Sequence, residues 1–555
     1  MPITLSTLNP HALPPSLTTR GHLILNSPAT IDFNSPGAQG FGVKRAGLTV
    51  PGSLMLLISP ACCGRNTRAL SGPGRYGERF ACLELSTTDI VTGAHLKKIP
   101  EASKLFLESR TDRPSCLLLC TTCVDALLGT DMDRIARQTE ALIHLPTRPC
   151  YMYALTRESL HPPMVQVRET IASLLKEPPS SPQADRERSD HFRPLGAACS
   201  PQADKERSDS LRGHDCIFAE GQGFPKDSVK ESSVESVGTP VPPPCHEPPS
   251  ATTNAAVNLL GSFTPIDPAS DLFPLLRTLG YDATRQLSTC RTYADFQTMA
   301  ASALNLVLTP ESLPAAEAMA TRLGVPYITL RRFYTPGRIH KQYQALARAL
   351  GRDLDDTHWY EKAKATIQTI KNILLPLRGE AAPLHSYDNT DTACLRDYDR
   401  IGAEEGMARK DSVKESSVEF GGPSLPPPSP EPPFAASSPT IALGSRLNAD
   451  PLDLALLLTS CGFTITDIIT TLDASDTYFL TLLKTVSPNT RLHGALDPSM
   501  ADFHPAILPD LTLGADAATY YPGVPNIPWN EEIQPFGYQA PLSLLKEITR
   551  TLGLS

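Results

Sequence analysis

The stretch LMLLISPACCGRNTRAL, residues 54–70, carries the features that decide the fold. Its first part, from Leu54 to Ile58, is a short apolar run typical of a strand that is buried on both faces. The run leads into Ser-Pro-Ala-Cys-Cys-Gly, which places Cys62 and Cys63 on the turn at the end of the strand. Open parallel sheets bind their ligands beyond the carboxyl ends of the strands. The stretch therefore predicts an α/β sheet with two thiols at its ligand-binding edge.

A second stretch, CLLLCTTCVDALLGTDMDRIARQ at residues 116–138, repeats this arrangement. The apolar run Leu117 to Leu119 predicts another strand, with Cys120 and Cys123 on the loop before a helix. Backbone N–H groups at a helix start stabilise thiolates, which are the usual ligands of iron–sulfur clusters. The C-x-x-C pair alone fits zinc, an iron–sulfur cluster or a redox dithiol, and buried structural cysteine is the alternative to all three. A zinc site is the weakest of these, because adjacent cysteines rarely share one ion and a second C-x-x-C is missing.

Composition limits the class of protein. The 555 residues carry a net charge of −9 and a pI near 5.8, which argues against nucleic acid or an anionic membrane as the main partner. The amino terminus does not resemble a secretory signal, and the apolar runs are far shorter than the roughly 20 residues of a membrane-spanning helix. We therefore expect a cytoplasmic protein, in which the thirteen cysteines do not form a disulfide framework.

Two segments have a composition that does not support a packed core. Residues 177–252 and 381–438 are rich in serine, proline and charge, and the decapeptide KDSVKESSVE occurs in both, at 226–235 and 410–419. Such sequence buries too little apolar surface to offset its ordering entropy, so both segments are predicted to be disordered inserts. The repeated decapeptide indicates a duplicated insertion, with a docking motif as the functional alternative.

The remaining chain divides into three blocks, residues 1–176, 253–380 and 439–555. The two later blocks alternate strand-like apolar runs with amphipathic helices that end at glycine, as in AAVNLLGSF followed by DLFPLLRTLGY. This alternation is typical of parallel sheets with helices on both faces. The fold class predicted is α/β, with three Rossmann-like domains interrupted by the two inserts.

Several common catalytic motifs are missing from the sequence. It has no Gly-x-x-x-x-Gly-Lys-Ser/Thr phosphate loop, so we expect no ATP site in this chain. It also has no G-x-G-x-x-G after a predicted strand and no G-x-S-x-G nucleophile elbow. The segment NIPWNEEIQPFGYQAP, residues 526–541, either lines a pocket or caps the final helix, and we favour the cap.

The order of motifs around the cysteines resembles the first domain of component 1 proteins of the nitrogenase superfamily. The motifs are Pro-x-x-Cys-Gly at Pro60–Gly64, Asp-Ile-Val-x-Gly at Asp89–Gly93, and Cys-x-x-x-Leu-x-Gly-x-Asp at Cys123–Asp131. Later segments, among them VNLLGSF, NLVLTPES and LGVPYITL, resemble the later domains of that superfamily. The resemblance covers most of the chain outside the inserts, and its strength lies in the order and spacing of the motifs.

The resemblance implies a set of cluster ligands. Cys63 and Cys123 match two of the three cluster cysteines of nitrogenase subunits, whereas the third position falls near Gly37. This departure argues against an eight-iron cluster. It favours a [4Fe-4S] cluster at a two-fold interface with two thiolates from each subunit. Cysteines that could supplement or replace a ligand are Cys62, Cys82 and Cys120.

The resemblance also implies a function and partners. It predicts an oxidoreductase, the catalytic component of a two-component reductase, that receives electrons through its cluster from an ATP-hydrolysing iron protein. The subunit would form a homodimer or a heterodimer with a related component 1 subunit; no catalytic residue is assigned. A scaffold for metallocluster assembly within the same superfamily and a non-catalytic α/β partner-binding protein are the alternatives.

Overall fold

The computed structural model describes most of the chain outside the predicted inserts. The described residues are 3–18, 42–64, 79–122, 124, 128–152, 161, 163–177, 255–261, 263–374, 438–473, 476–495, 497–530, 533 and 535–554. Apart from Glu177 and Ser438, the two predicted inserts lie outside them, so the disorder predicted for the inserts stays a prediction. All described residues belong to one compact unit of the chain.

The first sheet follows a two-residue strand, β1 (Ile3–Thr4), that joins a sheet formed later in the chain. Its four parallel strands are arranged in the order β3-β2-β4-β5. Their bounds are β2 Ser53–Pro60, β3 Phe80–Leu85, β4 Cys116–Thr121 and β5 Thr147–Tyr151. The helices of this region are α1 Gly42–Thr49, α2 Thr87–Thr92, α3 His95–Glu108, α4 Met132–Ile143 and α5 Pro163–Ser173.

Alternation of side chains along the buried strands gives this sheet two apolar faces. One face packs against α1 and α5 through a cluster that contains Met55, Leu57 and Cys120, and the other packs against α3 and α4 through Leu56 and Ile58. Helices thus cover both sides, as the continuous apolar runs predict.

The second sheet has the same strand order, β7-β6-β8-β9, and is also fully parallel. Its strands are β6 Ala255–Leu260, β7 Tyr281–Arg285, β8 Leu304–Val307 and β9 Tyr327–Thr329. The helices that accompany it are α6 Leu272–Thr278, α7 Tyr293–Gln297, α8 Leu313–Leu323, α9 Pro336–Ala349 and α10 Thr357–Leu374. Residues of α7 and α8 share the apolar cluster that covers the α1–α5 face of the first sheet.

The third sheet has the order β1-β12-β11-β10-β13-β14. All of its strands are parallel except β1, which pairs antiparallel with β12 through Ile3 and Leu492. Its other strands are β10 Thr440–Leu443, β11 Thr464–Thr470, β12 Arg491–Gly494, β13 Leu511–Leu513 and β14 Asn526–Ile527. The associated helices are α11 Pro451–Cys461, α12 Thr477–Val486, α13 Ala517–Tyr520 and α14 Gln539–Thr551.

The predicted fold class is confirmed, because each region of the described chain forms a sheet of parallel strands layered with helices. The exact bounds of the three blocks stay a prediction. Residues 3–18, which we assigned to the first block, pair and pack with the third sheet instead, where Leu5 and Leu17 join its apolar core.

The segment before the final helix has a role different from a simple cap. Tyr538 occupies the N-cap position of α14 but makes no capping hydrogen bond with its side chain. Its hydroxyl donates to Asp356 at 2.5 Å, while Asp271 accepts from the backbone N–H of Gln539 at 2.9 Å. The second sheet's region therefore supplies the capping carboxylate. Within the described residues, no helix is both long and apolar enough to cross a membrane.

Candidate functional site

The cysteine-bearing edge of the first sheet coincides with its topological switch point. From β2 the chain crosses to β3 on one side, and β4 then lies on the other side of β2. In open α/β sheets, the crevice beyond the carboxyl ends of two such strands is the usual ligand site. Ile58 of β2 pairs with Thr121 of β4, so both strands end at the same edge.

Cys62 and Cys63 lie in a helical turn directly beyond β2. The strand ends at Pro60 and residues 61–64 are helical. The two sulfur atoms are 3.9 Å apart; Cys62 is exposed and Cys63 is partly exposed. Each iron of a [4Fe-4S] cluster takes one cysteine thiolate, so two sulfur atoms this close would compete for one ligand position.

A third thiol reaches the same turn from the neighbouring strand. Cys82 of β3 pairs in register with Leu57 of β2 and is exposed. Its sulfur lies 3.9 Å from the carbonyl oxygen of Gly64, and a Cβ atom added at Gly64 would meet that sulfur at 3.8 Å. Cys82 therefore lies beside Gly64, the last residue of the turn that carries Cys62 and Cys63.

The predictions for Cys123 and Cys120 have different outcomes. Cys123 lies outside the described residues, as does Gly37, so neither assignment is tested. Cys120, predicted on the loop, is instead within β4 and completely buried among apolar side chains. That part of the prediction was wrong, because the strand continues to Thr121 and the C-x-x-C spacing straddles its end.

Three buried hydroxyl groups at this edge have no hydrogen-bond partner. They are Ser59 Oγ, Thr121 Oγ1 and Thr122 Oγ1, at the ends of β2 and β4. A buried polar group without a partner costs roughly 1–3 kcal/mol, so three together call for an explanation. Thr121 pairs with Ile58 and therefore points to the opposite face of the sheet from Ser59. A thiolate or sulfide could accept hydrogen bonds from Ser59 and Thr122, and such hydrogen bonds tune iron–sulfur clusters. The residues present therefore fit a sulfur-rich group at this edge.

Three further cysteines among the described residues are buried. Cys116 and Cys150 lie in the apolar core of the first sheet, and Cys461 lies in that of the third. Burial raises the pKa of Cys116 and of Cys461 to about 12, which keeps both as thiols near neutral pH. Within the described parts of the chain, no three His, Cys, Asp or Glu side chains are grouped to hold a metal ion.

Comparisons with protein-family models and solved structures show which family the chain resembles. Residues 215–404 match the model of the family described as nitrogenase component 1 type oxidoreductase. Among solved structures, "Nitrogenase Cp1 at pH 6.5" superposes with a TM-score of 0.52 at 12% identity, covering 97% of this chain and 95% of that one. "Nitrogenase Cp1 at pH 5" gives 0.52 at 13% identity, over 99% and 92%. No curated protein sequence matches the chain.

The resemblance to the nitrogenase component 1 superfamily is thereby confirmed. The structural likeness establishes the nitrogenase component 1 fold, and the family match lies around the second sheet. That match does not include the cysteine-bearing edge, so the cluster ligands rest on the geometry described above.

Several residues of the nitrogenase-like motifs serve as helix caps. Asp89 forms a reciprocal capping box with Ser86 at the start of α2, and Gly93 ends that helix with φ of 70°. Asp131 accepts from the N–H of Arg134 at the start of α4, two residues after Gly129, whose φ is 65°. These motif positions therefore encode the turns of the fold rather than its chemistry.

Sequence reasoning missed a buried carboxylate that connects the second and third regions. Asp453 of α11 accepts from the N–H of Tyr334 at 2.5 Å and from the N–H and hydroxyl of Thr335 at 3.0 and 2.8 Å. It also accepts from Arg338 of α9. The only sequence signal is an acidic residue on an otherwise apolar helix, PLDLALLLTSC, which is easily read as solvent-facing.

Proposed function

We propose that this chain is the cluster-bearing component of a nitrogenase-like two-component reductase. Oxidoreductase is the coarser class that its family match supports. The observation that supports the finer proposal lies at the switch-point edge of the first sheet. There, one turn carries Cys62 and Cys63, whose sulfur atoms are 3.9 Å apart. The hydroxyls of Ser59 and Thr122 at the same edge are buried and have no partner among the described residues.

The proposed ligands are Cys63 and Cys123, with Cys62 as an accessory ligand. Cys123 follows Thr121, the last residue of β4, by two positions in the sequence. A [4Fe-4S] cluster shared across a dimer interface needs two thiolates from each subunit. When bound, such a cluster supplies one-electron transfer. The 3.9 Å separation between the sulfurs of Cys62 and Cys63 supports Cys62 as a substitute ligand.

The chain's own groups would hold and tune the cluster. Ser59 and Thr122 would donate hydrogen bonds to sulfur and so favour the reduced state, because added negative charge strengthens those bonds. The buried strands behind them keep water away from one side of the site. We further propose that an ATP-hydrolysing iron protein donates the electrons and that the working form is a homodimer or heterodimer. We also propose a cytoplasmic location, where thiols stay reduced.

Anaerobic purification followed by iron and sulfide analysis tests the cluster. We expect brown protein with visible charge-transfer absorption, lost in Cys63→Ala and Cys123→Ala and reduced in Cys62→Ala. Cys461→Ala is the matched control, because that thiol is buried in the third region.

Three results would contradict the proposal. Colourless protein without iron, even after reconstitution with iron and sulfide, would remove the cluster. Full absorption in Cys63→Ala and Cys123→Ala, with loss in Cys62→Ala and Cys82→Ala, would show that the ligand set is wrong. A cluster that is released to an apo-protein acceptor instead of cycling with a reductant would assign the chain to cluster assembly.

A further inference from the structure

A cavity of about 60 Å³ lies where the first region meets the second. Its wall combines α5, which follows the first sheet, with Gly261 and Phe263 beyond the carboxyl end of β6 and with the start of α8. In the second sheet the chain order reverses between β6 and β8, so this cavity occupies that sheet's own switch point. It is separate from the cysteine turn beyond β2.

Most of the cavity wall is apolar, and a single cation interrupts it. Phe263, Phe296, Met299 and Met319 are among the apolar lining residues. Arg168 of α5 also lines the cavity, although its residue surface is only 9% exposed. The guanidinium carbon lies 4.7 Å from the centre of the Phe263 ring. A buried cation on an apolar wall is costly unless an anion or hydrogen bonds compensate it.

The hydrogen bonds of Arg168 compensate only part of this cost. Nη1 donates to the carbonyl of Met164 at 2.7 Å, and Nη2 donates to the carbonyl of Gly261 at 2.9 Å. Nε is buried and has no partner. Among the described residues, no carboxylate forms an ion pair with Arg168 within 4 Å; Glu311 influences it only through longer-range attraction. Burial lowers the pKa of Arg168 to about 10, so the side chain remains charged near neutral pH.

Ser312 and Gly261 complete the cavity wall. Ser312, which lines the cavity, is the N-cap residue of the eleven-residue helix α8 and has no side-chain capping bond. The N–H of Leu313, the first residue of α8, already donates to the carbonyl of Pro310, and Pro314 has no N–H, so this helix start adds no anion site. Gly261 has φ of 134°, and a Cβ atom there would meet Thr309 Oγ1 at 2.8 Å. The backbone of residue 261 can lie this close to Thr309 only because the residue is glycine.

We propose that this cavity binds a carboxylate, either of a free short-chain acid or of an acidic arm on a larger ligand, through the guanidinium of Arg168. The carboxylate would accept the second N–H of Nη2, which the bond to Gly261 leaves available, and the attached methylene groups would lie against the apolar wall formed by Phe263 and Met299. Arginine suits this task because its planar donors match the geometry of a carboxylate. A volume of about 60 Å³ exceeds the share of one water molecule and admits a few non-hydrogen atoms.

This inference does not depend on the iron–sulfur proposal, and its test needs no iron. Isothermal titration calorimetry of the full chain with sodium propionate, and with propionamide at equal ionic strength, measures the preference for charge. We expect saturable binding of propionate and at least tenfold weaker binding of propionamide. Absence of saturable binding of propionate would overturn the proposal.

Substitutions assign the binding to the cavity. Arg168→Gln should weaken propionate binding at least tenfold. Arg332→Gln is the matched control, because Arg332 also donates to a backbone carbonyl, that of Pro535 at 3.0 Å, and lies 5.2 Å from the ring of Phe536. Equal affinity in Arg168→Gln and the wild type would overturn the assignment.

A second variant keeps the test decisive if Arg168→Gln does not fold. Glu311→Gln leaves the two carbonyl contacts of Arg168 in place and removes the acid that attracts it. We expect propionate to bind at least twofold more tightly to Glu311→Gln, and unchanged or weaker binding would contradict the proposal.

A series of acids of increasing length, acetate, propionate, butyrate and hexanoate, distinguishes the two sources of the carboxylate. An affinity that peaks at a short chain indicates a free acid, whereas an affinity that continues to rise indicates an arm of a larger ligand.

Discussion

The guanidinium of Arg338 donates to the carboxylate of Asp453, and this buried ion pair connects the second region of the chain with the third. The Asp453 side chain is completely buried and that of Arg338 is 10% exposed. The same carboxylate accepts two backbone N–H groups, from Tyr334 and Thr335. All of its partners precede the second predicted insert, whereas Asp453 follows it.

Replacement of Asp453 by alanine should destabilise the protein strongly. It leaves the Arg338 charge buried without a partner and removes the acceptor of two N–H groups, a loss of about 3 to 5 kcal/mol. Urea unfolding followed by circular dichroism measures the change. Glu108→Ala serves as control, because Glu108 forms only an exposed pair with Lys104 and should unfold at the wild-type midpoint. Equal midpoints for the two variants would show that the buried pair contributes little.

The carboxyl of Asp476 should make stability fall as the pH rises. Burial raises its pKa to about 7, although Arg331 Nη2 lies 4.0 Å away. Since the folded pKa exceeds the unfolded one, the contribution is fullest below about pH 4 and is lost as the pH passes 7. Asp476→Asn should remove this slope and raise the free energy of unfolding at pH 8 by about 4 kcal/mol. Parallel pH dependences in variant and wild type would contradict the assignment.

Asp89 should act in the opposite direction. The hydrogen bond from Lys98 and those from Ser86 lower its pKa to about 2. Its stabilising contribution is therefore present above about pH 4 and is lost as the pH falls through 2. Asp89→Asn should lower the thermal midpoint at pH 6 and leave it nearly unchanged at pH 2. A midpoint difference that stays constant over this range would rule out the charge of Asp89 as the cause.

Ser59→Ala tests the proposed hydrogen bond to the cluster. Loss of a donor that favours the reduced state should lower the reduction potential, and about 1 kcal/mol of differential stabilisation corresponds to about 40 mV for one electron. Potentiometric titration followed by electron paramagnetic resonance measures the shift. Ser103→Ala is the control, because its hydroxyl already donates to Ile99 within α3. A shift of equal size in both variants would show that Ser59 has no specific role.

The sequence predicts the strands and helices well where apolar periodicity dominates. The runs at Leu54–Ile58 and Leu117–Leu119 lie inside β2 and β4, and ISPACCG does turn from strand to helix beyond Pro60. These features are local, since a strand buried on both faces needs a continuous apolar run and ends where that run ends. The end of β4 was misjudged because Cys120 and Thr121 are equally compatible with a buried strand and a loop.

Features that depend on contacts between distant parts of the chain were not predictable in the same way. The cavity beside Arg168 requires α5 and the end of β6 to meet, and the carboxylate of Asp453 finds partners more than a hundred positions earlier. A single arginine or aspartate on an amphipathic helix normally indicates the solvent face. Tertiary packing alone shows that these two charges are buried.

The pairing of β1 with β12 has a consequence for biosynthesis. Ile3 is synthesised about 490 residues before its partner, Leu492. At synthesis rates of about 5–20 residues per second, the amino-terminal strand waits about 25–100 s before its partner strand exists. The first two sheets contain no such distant partner and can close earlier. The nascent chain therefore carries an unpaired strand edge during this interval, in which a chaperone has time to bind it.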